Sequence, residues 1–172
     1  MSTIFYLSSL VAIASTIMVI TRLNVAHALL YLLVSFFAVA IIFFALGAPF
    51  AGALEIVIYA GAIMVLFVFI IMMLNVGKIQ DNAAKELLRP ATWVGPSALA
   101  LVLAAEMVYV FASGEWVAHT VIETTPKQVG AALFGPYLIA VELASVLLLA
   151  GLVAAYHLGR PEERKPSRGD RD

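Results

Sequence analysis

The stretch from Ala51 to Asn75 constrains this chain more than any other, because it is long, almost wholly apolar, and carries one acidic residue, Glu55, near its start. A helix rises about 1.5 Å per residue, so roughly 20 apolar residues match the roughly 30 Å hydrocarbon layer of a membrane. A carboxylate placed inside that layer costs about 2.5 to 3.5 kcal/mol on insertion scales, so such a group usually faces a protein partner or a water-filled path. The stretch therefore reads as a membrane span with a functional candidate built into it.

The rest of the chain fits the same solvent. Of 172 residues, 63% are hydrophobic and 12% charged, with a mean hydropathy of +1.04. Soluble domains average about 45 to 50% apolar and about 25% charged. Apolar runs at about 3–20, 27–47, 52–74, 93–113 and 134–157 predict five transmembrane helices. The predicted fold is an all-α integral membrane domain over residues 1–159, followed by a charged, flexible tail over 160–172. The first run has neither a basic leader nor an Ala-x-Ala cleavage site, so it is read as a retained helix.

Basic residues set the predicted orientation, since short cytoplasmic loops collect Lys and Arg. Arg22, Lys78, Lys85, Arg89, Arg160, Arg164, Lys165, Arg168 and Arg171 fall on one side of the five-helix arrangement, and only Lys127 on the other. The amino terminus is then outside and the carboxyl terminus cytoplasmic. The turn Thr21-Arg22-Leu23-Asn24 makes a hairpin of the first two spans, and Gly47-Ala48-Pro49 a sharp reversal between the second and third. The 114–133 segment reads as an outer loop, and Phe134-Gly135-Pro136-Tyr137 as the first turn of the last span.

Few residues offer chemistry. Glu55 and Tyr59 are one helical turn apart and share a face. They can form a proton relay, or Glu55 can snorkel outward while Tyr59 packs. Ala60-Gly61-Ala62, between Ile56-Val57-Ile58 and Ile63-Met64-Val65, weakens regular helix geometry. A kink, a π-bulge or close packing of small residues would each use it. Glu142, one turn from Ser145, is a third acidic candidate at membrane depth, serving function or a subunit contact. Glu106 lies near Tyr109 and Trp116, where snorkelling outward is the favoured reading. His27, His119 and His157 are scattered and define no metal site, and without cysteine the chain holds neither a disulfide nor an iron–sulfur cluster. There is no phosphate loop, dinucleotide fingerprint or catalytic constellation, and nothing suggests nucleic acid.

Three blocks, His27 to Leu32, Phe50 to Asn75, and Phe134 to Ser145, closely resemble the J-subunit family of bacterial NADH:quinone oxidoreductase, respiratory complex I, whose mitochondrial counterpart is NADH dehydrogenase subunit 6. The resemblance covers about residues 4–160. It implies a membrane-arm subunit without cofactors of its own in the bacterial cytoplasmic membrane; FMN, iron–sulfur clusters and quinone belong to other subunits. The implied partners are the small K subunit, the A subunit and the quinone-site H subunit. It also implies that a π-bulge near Gly61, Ala62, Ile63, Met64 and Val65 opens or closes a water path, with Glu55 and Tyr59 matching the family's polar pair. Two departures stand: Asn24-Val25-Ala26 lacks the proline common before the histidine, and Glu106 matches no family motif. A pure scaffold, a subunit of a related hydrogenase or photosynthetic complex, and an independent antiporter remain the rival readings. The antiporter suffers from the lack of an internal repeat.

Overall fold

The computed structural model of the chain describes residues 2–73, 90–113 and 124–160. The expected cytoplasmic loop with Lys78, Lys85 and Arg89, the outer residues Trp116 and His119, and the tail beyond Arg160 lie outside the described residues. The described chain is helical throughout and forms two compact units, residues 1–124 and 125–172.

The first unit begins with α1 (Ser2–Thr21) and α2 (Val25–Ala45), which pack along each other. Asn24 caps α2, its side-chain oxygen accepting from the amides of Ala26 at 3.1 Å and His27 at 3.3 Å. An Asn at this position satisfies amides that the helix itself leaves unpaired. Small residues let the two helices approach: Ser8, Ser15, Ala38 and Ala40 are fully enclosed. Around them Val11, Val34, Ala38, Ile41 and Leu103 form the apolar core. A second contact crosses the hairpin, with Thr16 Oγ1 and Ser35 Oγ 3.1 Å apart.

The third span is not one regular helix. It consists of α3 (Pro49–Leu54), a π-helical segment (Glu55–Ile63) and α4 (Met64–Met73). Gly47 turns the chain at φ 75°, a left-handed conformation that costs other residues about 1 to 2 kcal/mol. Pro49 then opens α3 at a position where its missing amide has no partner to lose. α5 (Pro90–Ser113) completes the unit and includes Pro96 within its length. α2 is central, touching α1, α3, the π segment, α4 and α5.

The second unit contains α6 (Pro126–Leu133) and α7 (Leu138–Gly159). α6 corrects the expectation of a plain outer loop over 114–133. Thr125 and Gln128 form a reciprocal cap, at 3.3 Å and 2.9 Å, and Pro126 occupies the first turn. A search for long apolar runs passes over a helix this short. The last span also starts later than expected: Phe134 to Tyr137 form a turn, closed by the Tyr137 amide on the Ala132 carbonyl at 3.1 Å, and Pro136 precedes the helix.

Four segments are long and apolar enough to cross a membrane: Thr3–Thr21, Val25–Ala45, Pro49–Ile71 and Leu138–Gly159. α5 contributes a shorter apolar stretch, Trp93–Tyr109. The fold is therefore that of an all-helical membrane protein.

Candidate functional site

Among the described residues, the π segment is the most irregular piece of helical backbone. Its register is visible at its end, where the Met64 amide reaches the Tyr59 carbonyl five residues back. An α-helix would instead pair each amide with the carbonyl four residues back. The local sequence explains the change. Ile56, Val57 and Ile58 crowd a regular helix through their branched β-carbons, and Gly61 makes departure from α geometry cheap. Of the five expected bulge residues, Gly61, Ala62 and Ile63 lie inside the π segment, whereas Met64 and Val65 belong to α4. The irregularity starts earlier than expected, at Glu55.

Glu55 and Tyr59 are both carried by this segment. Glu55 is half-buried, and Tyr59 is half-exposed with its ring 5.5 Å from that of Phe36 on α2. Among the described residues no hydrogen bond joins the two. The arrangement leaves both polar groups available on a segment whose helical register is irregular. Ala60 and Met64, buried members of the same span, anchor it.

Glu142 lies on α7 in the second unit and is exposed. Ser145 Oγ donates to the Glu142 backbone carbonyl at 2.7 Å, so it bonds the main chain and leaves the carboxylate alone. Serine and threonine often bond back to the preceding helical turn in this way.

Glu106 overturns the sequence expectation. It does not snorkel outward: it is 7% exposed, and its Oε2 accepts from Ser8 Oγ of α1 at 2.9 Å. Pairing an acid with a hydroxyl across two helices satisfies part of a buried group's hydrogen-bonding need. The one sequence signal was the seven-residue spacing of Ser8 and Ser15, which puts two small polar residues on one face of α1.

Near the turn between α1 and α2, the His27 and Tyr31 rings are 5.1 Å apart and the Arg22 guanidinium lies 5.6 Å from the Tyr31 ring centre. Such a cation over an aromatic face is worth about 0.5 to 2 kcal/mol, depending on desolvation. Tyr31 is buried and His27 partly so, which makes His27 a packing residue at this helix start. Among the described residues there is no cluster of His, Cys, Asp or Glu able to hold a metal ion.

A π-interrupted span holding a carboxylate and a phenol, inside a helical membrane domain, defines a membrane protein with an irregular polar element in its third span. Residues 15–158 match the family described as NADH-ubiquinone/plastoquinone oxidoreductase chain 6. The chain is 56% identical to NADH-quinone oxidoreductase subunit J of Pseudomonas aeruginosa, over 94% of this chain and 98% of the relative. It is 52% identical to the subunit J of Escherichia coli K12, over 92% and 86%, and 49% identical to that of Buchnera aphidicola from Schizaphis graminum, over 95% and 100%. The chain belongs to the NADH-ubiquinone/plastoquinone oxidoreductase chain 6 family.

Proposed function

We propose that this chain is a membrane-arm subunit of a proton-translocating NADH:quinone oxidoreductase and helps couple quinone reduction to proton movement. The observation that carries this reading is the π segment Glu55–Ile63, which puts a carboxylate and a phenol on backbone that departs from α register, in a chain of this family. Converting one π turn to α geometry removes one residue from the turn and rotates the remainder of the span by about 100°. Two such registers are the discrete states that coupling requires.

In this reading Gly61 to Val65 take up the rotation, while Glu55 and Tyr59 order water or pass protons, with Glu142 a further candidate on the proton path. Electron transfer takes place in other subunits, which hold FMN, iron–sulfur clusters and quinone. The chain crosses the bacterial cytoplasmic membrane five times, amino terminus outside, and contacts the K, A and H subunits.

The test compares membranes lacking this chain with membranes given it back, in cells without a second NADH dehydrogenase. NADH-driven, uncoupler-sensitive proton uptake is read beside NADH oxidation by a soluble acceptor. Loss of uptake on deletion and recovery on re-expression support the assignment. Uptake unaffected by deletion refutes it.

A further inference from the structure

The last span leaves no hydrocarbon depth for what precedes it. α7 has 22 residues, about 33 Å at 1.5 Å each, so it fills the roughly 30 Å apolar layer by itself. Everything just before Leu138 is then at or beyond the edge of that layer. The residues there are not those of a water-exposed loop, since Leu133, Phe134 and Tyr137 are 41%, 73% and 61% exposed on the chain. The turn Phe134 to Tyr137 joins α6 to α7, closed by the Tyr137 amide on the Ala132 carbonyl. With only this turn between them, α6 stays at the edge where α7 begins.

α6 is also two-sided. Pro126, Val129 and Leu133 recur at i, i+3 and i+7 and share one face, while the exposed Lys127, Gln128 and Ala131 lie around the helix from it. Its first turn needs no water to satisfy its amides, because the Thr125 and Gln128 cap supplies an acceptor from within the chain.

We propose that α6 is an interfacial helix lying in the plane of the membrane boundary. Its Pro126, Val129 and Leu133 face and the Phe134 and Tyr137 side chains seat among phospholipid acyl chains beside the headgroups, and Lys127 faces the phosphates and water. Lipid is the occupant because the length of α7 fixes α6 at that depth, where the chain itself leaves these large apolar groups uncovered. Aromatic side chains favour this layer, and a short basic helix with one apolar face lies flat in it. Standing upright, α6 would carry Pro126 about 12 Å away from the edge; lying flat, it keeps its whole apolar face at one level. The placement requires only that α7 crosses a membrane, whatever complex holds the chain.

The experiment uses open membrane fragments containing the assembled complex. Lys127, Ala131, Leu133 and Phe134 are changed to Cys one at a time, and since the chain has no cysteine of its own, any labelled peptide from it reports the introduced site. A charged, water-soluble maleimide is added, and labelling is followed by mass spectrometry, with assembly checked on native gels. Leu133→Cys and Phe134→Cys should label about tenfold more slowly than Lys127→Cys and Ala131→Cys, because an apolar environment disfavours the reactive thiolate. Leu133 and Phe134 are exposed on the chain, so slow labelling there reports cover from outside it. Equal rates at all four positions overturn the proposal.

Benzoylphenylalanine at Phe134 then identifies the cover in the same membranes. Irradiation should give phospholipid adducts on the peptide carrying it. A main product joined to another protein chain overturns the lipid assignment and makes the face a subunit contact instead.

Discussion

The Tyr31 hydroxyl of α2 occupies the space where a β-carbon on Gly95 of α5 would stand, with Tyr31 Cζ only 3.1 Å from that point. The two helices meet here because one residue has no side chain. Tyr31 is 3% exposed and cannot swing aside without opening the packed face of α2.

Gly95→Ala should therefore overpack this contact and destabilise the first unit by about 1 to 3 kcal/mol. The check is the temperature at which the purified complex loses NADH:quinone activity. Adding Tyr31→Phe removes the obstructing oxygen and should restore most of the loss, so the double variant is more stable than Gly95→Ala alone. Additive losses would place the defect elsewhere.

Deleting Ala62 should convert the π segment to α register. With one residue fewer, the turn closes in α geometry while α4 keeps its present orientation relative to α3, so the span is held in one register. The expected outcome is a complex that assembles and still oxidises NADH with a soluble acceptor, but whose proton uptake per NADH falls by more than half. Undiminished uptake would show that the register does not matter to coupling.

Glu55→Gln with Tyr59→Phe leaves size and packing nearly unchanged while removing the titratable carboxyl and the hydroxyl. Proton uptake per electron should fall several-fold, with assembly judged by native gel staying normal. Uptake at the wild-type ratio would remove the relay role and leave the pair as packing residues.

Gly47→Ala forces an L side chain into φ 75° at the reversal between α2 and α3. A loss of about 1 to 2 kcal/mol is expected, seen as a lower thermal midpoint of the complex. Gly47→Asn should lose less, because Asn tolerates the left-handed region better.

Thr125→Ala removes the side-chain half of the reciprocal cap on α6 and should cost about 1 kcal/mol. Hydrogen exchange at the first-turn amides of α6, Gln128 above all, should speed up about fivefold while α7 is unaffected. Equal protection in both proteins would mean that the cap contributes nothing.

The sequence alone determined that this chain lives in a membrane, because hydrophobicity summed over some 20 residues is a local quantity that needs no knowledge of packing. It also marked the neighbourhood of Gly61 as a weak place in the third span, where a kink, a π-bulge or close packing were all open, since β-branched crowding acts within a turn or two. The π segment begins at Glu55, six residues before Gly61, and packs against α2, a neighbour that local sequence does not name. The α6 helix was hidden for a different reason: its stability comes from the Thr125 and Gln128 cap rather than from apolar length.

Tertiary structure decided the fate of Glu106. Its neighbours in sequence, Tyr109 and Trp116, suggested an outward path, yet Ser8 and Glu106 meet across 98 residues of chain. No periodicity within α5 announces a donor that arrives from another helix. The same holds for Tyr31 and Gly95, whose contact exists only once α2 and α5 are side by side. Local patterns set which segments become helices and which solvent they occupy; the pairing of a buried acid or the room for a tyrosine ring depends on which faces those helices turn to one another.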